Sequence, residues 1–300
     1  MLNFRNIKNI ETINKTKTKT ISLQNNISSI KTHVEMYLKT ISIKKQILQN
    51  FKNIDNCVLG DNTKNTVLLI EPRFIKETLC LLANTYNKLG DNWNYVFYCG
   101  KSVRDFWQSK LPNFIEVRSL GIDNFENTKL YSDFCKSKKL WDSLYGEYVL
   151  TIQLDTWIMN LKPYDISYFI NLNKSYIGGN MEYTWGYFDK IKLYHNFRNF
   201  NGGLSLRKRK DIIKIIEAFP PRKTLDIQRD FLTEHEDVYF TTGCVKLKLP
   251  IGDDEVSSHF SLHNKCRDTY FGIHQPSISI KKQLNKTNPF LKYLNGKLKL

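Results

Sequence analysis

The sequence predicts an α/β domain with a central, mostly parallel sheet. Between residues 66 and 154, short apolar runs typical of buried strands alternate with segments of helical periodicity. Such an alternation indicates parallel strands joined by right-handed helical crossovers. The run from Tyr148 to Ile152 is β-branched and aromatic with no polar alternation, as a strand that is buried on both faces requires. We therefore place this strand at the centre of the sheet.

Residues 1–65 are predicted to form a basic extension ahead of this domain. Lys, Asn, Thr and Ser dominate the extension, and the Lys-Thr repeat at residues 15–20 cannot bury enough apolar surface to become ordered. Apolar residues at roughly helical spacing within residues 30–51 indicate one amphipathic helix. Such a helix packs on the domain or on a partner, or, as the alternative, on a lipid surface.

Three strands and three helices are predicted ahead of the central strand. Pro72 lacks a backbone donor and therefore ends the first strand, and Gly90 is suited to ending the first helix. The predicted strands span residues 67–70, 94–99 and 114–118, and the predicted helices span residues 74–89, 102–110 and 131–144. Each strand is followed by a helix, as a doubly wound sheet requires.

The alternation is lost after the central strand. Residues 176–179 are predicted as the end of a strand, residues 201–203 as a glycine turn before a short strand, residues 208–219 as a helix and residues 270–275 as a last strand. An acidic cluster at residues 234–237 precedes an apolar segment, as carboxylates near a helix N-terminus do. The single domain is expected to span residues 66–277, and residues 278–300 are expected to form a polar, basic tail.

The formal net charge of +16 predicts attraction to nucleic acid, an anionic membrane or phosphate-bearing ligands. No Arg-rich arm and no aromatic RNA-binding signature accompanies this charge, so nucleic-acid binding is the second hypothesis. The six cysteines form no Cys-x-x-Cys pair, and we expect reduced, mostly buried thiols. No apolar run reaches the ~18 residues of a membrane span and no secretory signal is recognised, so the sequence predicts a soluble, cytoplasmic protein.

The carboxyl end of the central strand carries the first candidate site residues, Gln153 and Asp155. Ligands of open α/β sheets bind outside the carboxyl ends of the strands, so a metal or cofactor is expected there. The alternative is that Asp155 caps the following turn, which is the more common role of an Asp after a strand.

Five sequence blocks follow one another along the chain. They are VLLIEPR at residues 67–73, EYVLTIQLDT at residues 147–156, NGGLSLR at residues 201–207, EDVYF at residues 236–240 and FGIHQP at residues 271–276. Together these blocks resemble a glycosyltransferase-like family of the GT-A fold, a relative of the Rossmann fold, that recurs in giant viruses and some microbes. The resemblance covers about residues 66–277.

The resemblance implies a transferase that takes a sugar from a nucleotide-sugar donor, with UDP as the expected nucleotide. It also implies a divalent ion, Mn²⁺ or Mg²⁺, with Asp155 and His274 as ligands, since carboxylate and imidazole suit such ions. Enzymes with an Asp-x-Asp motif hold two carboxylates near the metal, whereas here Gln153 replaces the first, so one negative charge is missing. A structural role is the alternative for His274.

Further residues are assigned to the donor by the same resemblance. Glu71 and Arg73 follow the first strand, where enzymes of this fold hold the base and diphosphate, and Arg73 can pair with a phosphate through two hydrogen bonds. Asn201, Gly202 and Gly203 form the predicted turn, where a sugar ring can approach the backbone because glycine has no side chain. A plain turn without a ligand is the alternative.

Inverting sugar transfer needs a carboxylate that takes the proton of the acceptor hydroxyl. Asp237 is the first candidate for this base and Glu236 is the second, because adjacent carboxylates point in different directions and only one can face the sugar. The preference for acidic residues at a helix N-terminus is the alternative explanation for both. A retaining mechanism would need no such base.

Three classes of function follow for the chain. The first is a metal-assisted glycosyltransferase acting on a glycan or protein acceptor, in the host cytoplasm or the virion if the chain is viral. The second is an inactive relative that serves assembly or interaction, since a fold does not imply a function. The third is a basic nucleic-acid-associated protein. Convergence of Asp155, Asp237 and His274 on one cleft would favour the first class, and a continuous basic stripe would favour the third.

Overall fold

A six-stranded mixed sheet lies at the centre of the computed structural model, which describes residues 60–180, 200–221, 235–278, 280 and 282. The strands are β1 (Asn65–Glu71), β2 (Trp93–Cys99), β3 (Ile115–Ser119), β4 (Tyr148–Ile152), β5 (Thr156–Ile158), β6 (Tyr176–Asn180), β7 (Phe200–Lys208), β8 (Ser261–Leu262) and β9 (Gly272–His274). The sheet order is β3-β2-β1-β4-β7-β6. The first four of these pair in parallel, whereas β7 is antiparallel to both of its neighbours. The α/β prediction is therefore confirmed, with one strand reversed.

Helices cover both faces of this sheet. They are α1 (Glu77–Leu89), α2 (Arg104–Lys110), α3 (Thr128–Cys135), α4 (Lys138–Asp142), α5 (Ile166–Asn171), α6 (Arg209–Ala218), α7 (Glu236–Lys246) and α8 (Asp254–Phe260). Two 3₁₀ turns, Gly90–Asn92 and Lys101–Val103, precede β2 and α2. No helix in the described part of the chain has the length and apolar character that crossing a membrane requires.

The apolar residues of β1 point alternately to two separate cores. Val67 and Leu69 pack into the core that contains α1 and α2, whereas Leu68 and Ile70 pack into the core that contains α4, α6 and α7. A strand covered on both faces shows no polar alternation, which explains the continuous apolar run. The same holds for β4, which lies between β1 and β7, so the predicted central strand is confirmed.

A second, smaller sheet has the order β5-β9-β8. The buried Asn84 of α1 holds it in place: its amide nitrogen donates to the Ile158 carbonyl at 3.2 Å, and its amide oxygen accepts from the Ile158 amide at 3.0 Å. Both polar groups of a buried amide are thus satisfied. The pairing of β5 with β9 sets His274 opposite Thr156, so this sheet brings a predicted site residue next to the end of β4.

The single helix predicted for residues 131–144 was wrong, since this segment forms α3 and α4. The extended backbone of Ser137 separates the two helices. Lys136, just before it, is buried, and its ammonium lies 3.1 Å from the Asp133 carboxylate. The indole nitrogen of Trp141 then donates to the Cys135 carbonyl at 2.7 Å. These local contacts accompany the extended residue, which interrupts a helix that apolar periodicity alone would continue.

The glycine turn predicted at Asn201, Gly202 and Gly203 was also wrong, because all three residues belong to β7. The pairing of β6 with β7 shifts register between Gly178 and Asn180. At Gly178, a Cβ would lie only 2.4 Å from the Asn201 carbonyl oxygen, so glycine is needed for this close pairing. The glycines therefore mark an irregular part of the ladder.

Several predicted features lie outside the described residues. They are the Lys-Thr repeat, the amphipathic helix at residues 30–51, Cys57 and most of the C-terminal tail. The five described cysteines are free thiols and four of them are buried, as predicted. The proposed domain boundaries stay predictions.

Replacing Leu150 with Ala tests the placement of β4 in the core. Leu150 is fully buried, so the substitution removes packed methyl groups, and we expect the free energy of unfolding to fall by about 2–5 kcal/mol. Leu130→Ala is the matched control because Leu130 is 40% exposed, and it should cost less than about 1 kcal/mol. Urea unfolding followed by circular dichroism measures both, and equal losses would contradict a central β4.

Candidate functional site

A cleft of about 420 Å³ opens at the carboxyl ends of β1 and β4. The chain leaves β1 toward β2 on one side and returns to β4 on the other, so these two strand ends form a topological switch point. Open α/β sheets bind ligands at such points. The lining includes Glu71, Arg73, Phe125, Tyr131, Gln153, Asp155 and Gln275. Four residues that the sequence assigned to a site therefore line one cleft.

A tight turn after β4 presents Asp155 to this cleft. The Thr156 amide donates to the Gln153 carbonyl at 2.9 Å, and the Gln153 amide donates to the Thr156 hydroxyl oxygen at 3.2 Å. The same hydroxyl donates to the Gly203 carbonyl at 3.1 Å. The side chain that closes the turn thus belongs to Thr156, and the Asp155 carboxylate contacts other side chains instead.

The Asp155 carboxylate contacts two residues that lie 119 and 120 positions away in sequence. Its Oδ1 lies 3.1 Å from Nε2 of His274, and its Oδ2 accepts a hydrogen bond of 2.7 Å from Nε2 of Gln275, 120 positions along the chain. Oε1 of Gln153 lies 3.3 Å from the same His274 nitrogen. Three residues predicted to bind metal or cofactor are therefore in direct contact with one another.

Burial by itself would raise the pKa of the Asp155 carboxyl, because it disfavours the charged form. The hydrogen bond and charge of His274, together with the hydrogen bond from Gln275, outweigh burial and hold the pKa of Asp155 well below its ordinary value. Asp155 is therefore ionised at neutral pH. His274 is 2% exposed, and its Nδ1 has no hydrogen-bond partner among the described residues. The imidazole thus engages the site through Nε2 alone.

Gly202 and Gly203 lie between two groups of polar side chains. A Cβ on Gly203 would lie 2.1 Å from Nε2 of His274 and 2.6 Å from Oε1 of Gln153, and a Cβ on Gly202 would lie 2.6 Å from Oε1 of Glu236. A real Cβ does not make such short contacts, so any other residue would displace these side chains. The glycine pair therefore lets both groups approach the same strand.

The side chain of Asn201 fixes the backbone of this glycine pair. Its Oδ1 accepts a hydrogen bond of 2.8 Å from the Gly203 amide, and the Tyr176 hydroxyl donates to its carbonyl at 3.4 Å. Asn201 thus has a structural role in the absence of a ligand. Its predicted contact with a donor is untested.

A fully buried cation, Arg207, lies beside Glu236. Its Nη2 is 3.7 Å from Oε1 of Glu236 and donates to the Gly202 carbonyl at 3.2 Å, while its Nε donates to the Ser205 hydroxyl at 2.8 Å. Glu236 also accepts a hydrogen bond of 3.3 Å from Ser132. A buried charge is tolerated only when it is paired and hydrogen-bonded. Arg207 and Glu236 supply the opposite charge to each other, and Ser205, Gly202 and Ser132 supply the hydrogen bonds.

Asp237 follows Glu236 in the first turn of α7, and its side chain is half-buried. Both residues approach Gly202 of β7. Oδ1 of Asp237 accepts a hydrogen bond of 2.7 Å from the Val238 amide, and a Cβ on Gly202 would lie 3.1 Å from the Asp237 Cβ. Burial, followed by the negative charge of Glu236, raises the pKa of Asp237 well above its ordinary value. The hydrogen bond from the Val238 amide and the positive charge of Arg207 lower this pKa, but by less. A raised pKa suits a carboxylate that must accept a proton at neutral pH.

Glu71 and Arg73, the residues predicted to hold the base and diphosphate, bind each other. Nε and Nη2 of Arg73 donate to the two Glu71 carboxylate oxygens at 2.7 and 2.8 Å. Glu71 is buried, whereas the Arg73 side chain is 51% exposed. The hydrogen bonds that Arg73 donates to Glu71 raise the pKa of Arg73, and the Asp155 charge contributes. An anion would therefore reach Arg73 from its exposed side.

The donor atoms of Gln153, Asp155 and His274 fit a divalent cation by chemical type. Amide oxygen, carboxylate and imidazole are all ligands of such ions. Binding through Nε2 would move the His274 proton to Nδ1, the buried atom that has no partner. No group of three or more His, Cys, Asp and Glu side chains with metal-site spacing occurs in the described ranges, so an ion here would need ligand or water oxygens as well.

Three side chains of the site were not predicted: Tyr131, Arg207 and Gln275. The last two stand in the blocks NGGLSLR and FGIHQP, so block membership was a usable signal. Tyr131 comes from a helix without a recognisable motif, and its hydroxyl accepts a hydrogen bond of 3.1 Å from Gln153. Burial, with the nearby Cys135 and Glu236, raises the pKa of Tyr131 well above its ordinary value, so the phenol is neutral.

A family model described as "Protein of unknown function (DUF5672)" matches residues 114–276, more than half of the chain. The matched segment contains β3 to β9 and includes Asp155, Asp237 and His274, whereas Glu71 and Arg73 precede it. The comparison with curated proteins found no match. On the extent of the family match, the chain belongs to the DUF5672 family of proteins of unknown function.

Proposed function

We propose that the protein is a glycosyltransferase of the GT-A type that moves a sugar from a nucleotide-sugar donor, with UDP as the nucleotide, to a hydroxyl of a glycan or protein acceptor. The observation that carries the proposal is the cleft at the carboxyl ends of β1 and β4, where an ionised Asp155 lines the wall. Asp237, a carboxyl of raised pKa, lies at Gly202, next in sequence to the glycine that His274 and Gln153 approach; neither Asp237 nor His274 is among the residues that line the cleft.

The cleft suits a donor in size and in lining. Its volume of about 420 Å³ lies in the range of small-molecule pockets, which combine apolar walls with a few polar groups. Ile70, Pro72 and Phe125 supply apolar surface for a nucleobase, and Arg73 supplies a positive charge for a phosphate.

Asp155 and His274 are the residues that would hold a divalent ion, Mn²⁺ or Mg²⁺. When bound, the ion neutralises charge on a nucleotide diphosphate leaving group. Gln153 offers a neutral oxygen where a second carboxylate would strengthen the site, so metal binding is expected to be weaker than with two acids. Gln275 keeps the Asp155 carboxylate oriented through a hydrogen bond of 2.7 Å.

Asp237 is the base in this proposal, and the negative charge of the adjacent Glu236 helps to raise the pKa of Asp237. Glu236 is engaged with Arg207 and Ser132, so it is poorly placed to take a proton from an acceptor. Asp237 is partly exposed, and the negative charge of Glu236 favours its protonated form. The acceptor oxygen would attack the anomeric carbon and pass its proton to Asp237, while the bond from that carbon to the diphosphate oxygen breaks and UDP leaves, so the configuration at the anomeric carbon is inverted.

Calorimetry with UDP-, GDP- and CMP-sugars in the presence of Mn²⁺ tests the proposal directly. We expect one nucleotide class, UDP, to bind and the others to bind weakly. Absence of binding by every nucleotide sugar would favour the inactive, interaction-type protein. Salt-sensitive binding of nucleic acid without any donor binding would favour the nucleic-acid-associated protein.

Removing a predicted metal ligand should abolish the stabilisation that UDP and Mn²⁺ together confer. A ligand that binds only the folded state raises the melting temperature, so Asp155→Ala and His274→Ala should each lose this increase. Because the two side chains pair with each other, each variant is compared with its own ligand-free melting temperature. Asp105→Ala is the matched control, since the Asp105 side chain is 97% exposed. An undiminished increase in both variants would make the pair structural.

Asp237→Asn keeps the shape of the side chain but cannot accept a proton. Transfer should fall by about two to four orders of magnitude with little change in donor affinity, because the loss belongs to the transition state. Glu236→Gln should reduce transfer less. Rates are measured as UDP release with any acceptor that supports turnover. Wild-type rates in Asp237→Asn would transfer the role to Glu236 or indicate a retaining mechanism.

Gly203→Ala tests the close approach of His274 to β7. The new methyl group would collide with His274 and Gln153, so we expect the melting-temperature increase with UDP and Mn²⁺ to be lost while the protein still folds. Gly252→Ala is the control, since a Cβ there would approach the Ser257 hydroxyl oxygen to 3.1 Å, a much smaller overlap than at Gly203 and far from the proposed ligands. Full ligand stabilisation in Gly203→Ala would show that His274 does not take part.

A further inference from the structure

The side-chain amide of Gln153 lies between two partners. Its Nε2 donates a hydrogen bond of 3.1 Å to the Tyr131 hydroxyl, and its Oε1 lies 3.3 Å from Nε2 of His274. Both Gln153 and Tyr131 line the cleft. An amide that turns half a rotation about its last bond exchanges its oxygen for its nitrogen. The atom that Gln153 offers to the site therefore depends on its two partners.

The ionised Asp155 fixes the orientation of this amide. A carboxylate only accepts hydrogen bonds, so Nε2 of His274, which lies 3.1 Å from Oδ1 of Asp155, carries a proton. Because this nitrogen is a donor, the atom of Gln153 that faces it must be the amide oxygen. The amide nitrogen of Gln153 then faces Tyr131. The hydrogen bonds among these side chains thus have a defined direction.

The phenol proton of Tyr131 agrees with this direction. The phenol is hydrogen-bonded to the thiol of Cys135, one turn further along α3, and Cys135 is buried. A phenol has one proton, and its oxygen also accepts. The proton is therefore directed to the Cys135 sulfur while the oxygen accepts from Gln153. Toward Gln153, Tyr131 acts as an acceptor, and an acceptor suits the amide nitrogen and not the amide oxygen.

Packing restrains the Tyr131 ring at this position. Phe125 contacts it edge to face, with ring centroids 5.6 Å apart and an interplanar angle of 87°. The side chain of Asn127 caps the start of α3, and the next residue along the helix, Ser132, donates a hydrogen bond of 3.3 Å to Glu236 of α7. The hydroxyl is thus presented to β4 from a helix that is anchored independently of Gln153.

We propose that Tyr131 is a positioning residue that keeps the oxygen of the Gln153 amide, and not its nitrogen, turned toward His274, where a divalent ion would bind. This inference rests on the proposed function, because it concerns the ion of that site. Only the oxygen of an amide is a cation ligand. His274 orients Gln153 through the proton on its Nε2, and this nitrogen must lose that proton to become a ligand. Tyr131 is the partner that still holds the amide afterwards.

A neutral amide depends on such a partner more than an acid does. The two oxygens of a carboxylate are equivalent, so an acid presents an oxygen whichever way it turns. An amide presents its oxygen in one of two orientations. Side chains that orient a ligand typically change metal affinity by about 10- to 100-fold when they are removed. We therefore expect the effect of Tyr131 on metal binding to disappear in Gln153→Glu.

Titration of the full-length protein with Mn²⁺ in the presence of UDP tests this proposal, with free Mn²⁺ measured by electron paramagnetic resonance. Tyr131→Phe removes only the hydroxyl and should weaken Mn²⁺ binding by about tenfold. UDP binding without Mn²⁺, measured by calorimetry, should not change. In the Gln153→Glu background, the addition of Tyr131→Phe should change the Mn²⁺ affinity by less than about twofold.

Tyr95→Phe is the matched control for the loss of a phenol hydroxyl. The Tyr95 hydroxyl donates a hydrogen bond of 2.8 Å to the Gly90 carbonyl, and Tyr95 lies near the start of β2, away from the carboxyl edge of the sheet. This variant should bind Mn²⁺ as the wild type does. If Tyr131→Phe does not fold, as judged by circular dichroism, Cys135→Ala takes its place with the same expectations. Without the Cys135 sulfur, the phenol proton can turn toward Gln153 and favour the reversed amide.

The wild type and the variants test separate claims. Absence of Mn²⁺ binding by the wild type in the presence of UDP would contradict the metal of the proposed function, and this inference with it. Equal Mn²⁺ affinity in the wild type and in folded Tyr131→Phe would leave the proposed function standing and overturn the role of Tyr131. An equal loss in both backgrounds would make the hydroxyl merely structural, and weaker UDP binding without Mn²⁺ would place it in contact with the donor. Either result would also overturn the proposal.

Discussion

The close approach of side chains to Gly202 and Gly203 is the constraint on which the site depends. Because β7 runs antiparallel to β4, its first residues lie at the carboxyl edge of the sheet, where Leu204 pairs with Ile152. In a parallel strand the same residues would lie at the opposite edge. The reversal of one strand and the absence of two side chains together allow polar groups from β4, β9 and α7 to meet.

Buried charge is compensated locally around this strand. Arg207 is enclosed by three aromatic rings, whose centroids lie 5.1 to 5.9 Å from its guanidinium carbon: Trp141, Tyr176 and Phe240. Cations are attracted to the faces of such rings, and Glu236 supplies the opposite charge. Glu71 accepts two hydrogen bonds from Arg73, and the Asp155 carboxylate contacts the His274 imidazole at 3.1 Å. Ligand binding at the cleft would therefore replace existing contacts of Arg73 and Asp155, so affinity depends on how well the ligand substitutes for them.

The cleft is a consequence of the sheet topology. Segments that follow parallel strands emerge at the carboxyl edge, so the segments after β1, β3 and β4 supply residues to the lining of the switch point. Glu71 and Arg73 follow β1, Phe125 follows β3, and Gln153 and Asp155 follow β4.

The sequence by itself determined the class of the fold and the central strand, and it supplied four of the residues that line the cleft. The apolar run of β4, the stop at Pro72 and the turn at Gly90 are local signals, because burial on both faces and backbone restriction act within a few residues. The site residues Asp155, Asp237 and His274 were identified from sequence blocks, and their chemical roles remain proposals. Only the tertiary structure decided the reversed direction of β7, the break between α3 and α4, and the contact between Asp155 and His274. The direction of β7 depends on its pairing with β4, between residues 52 to 60 positions apart, and the contact between Asp155 and His274 joins residues 119 positions apart; local periodicity encodes neither.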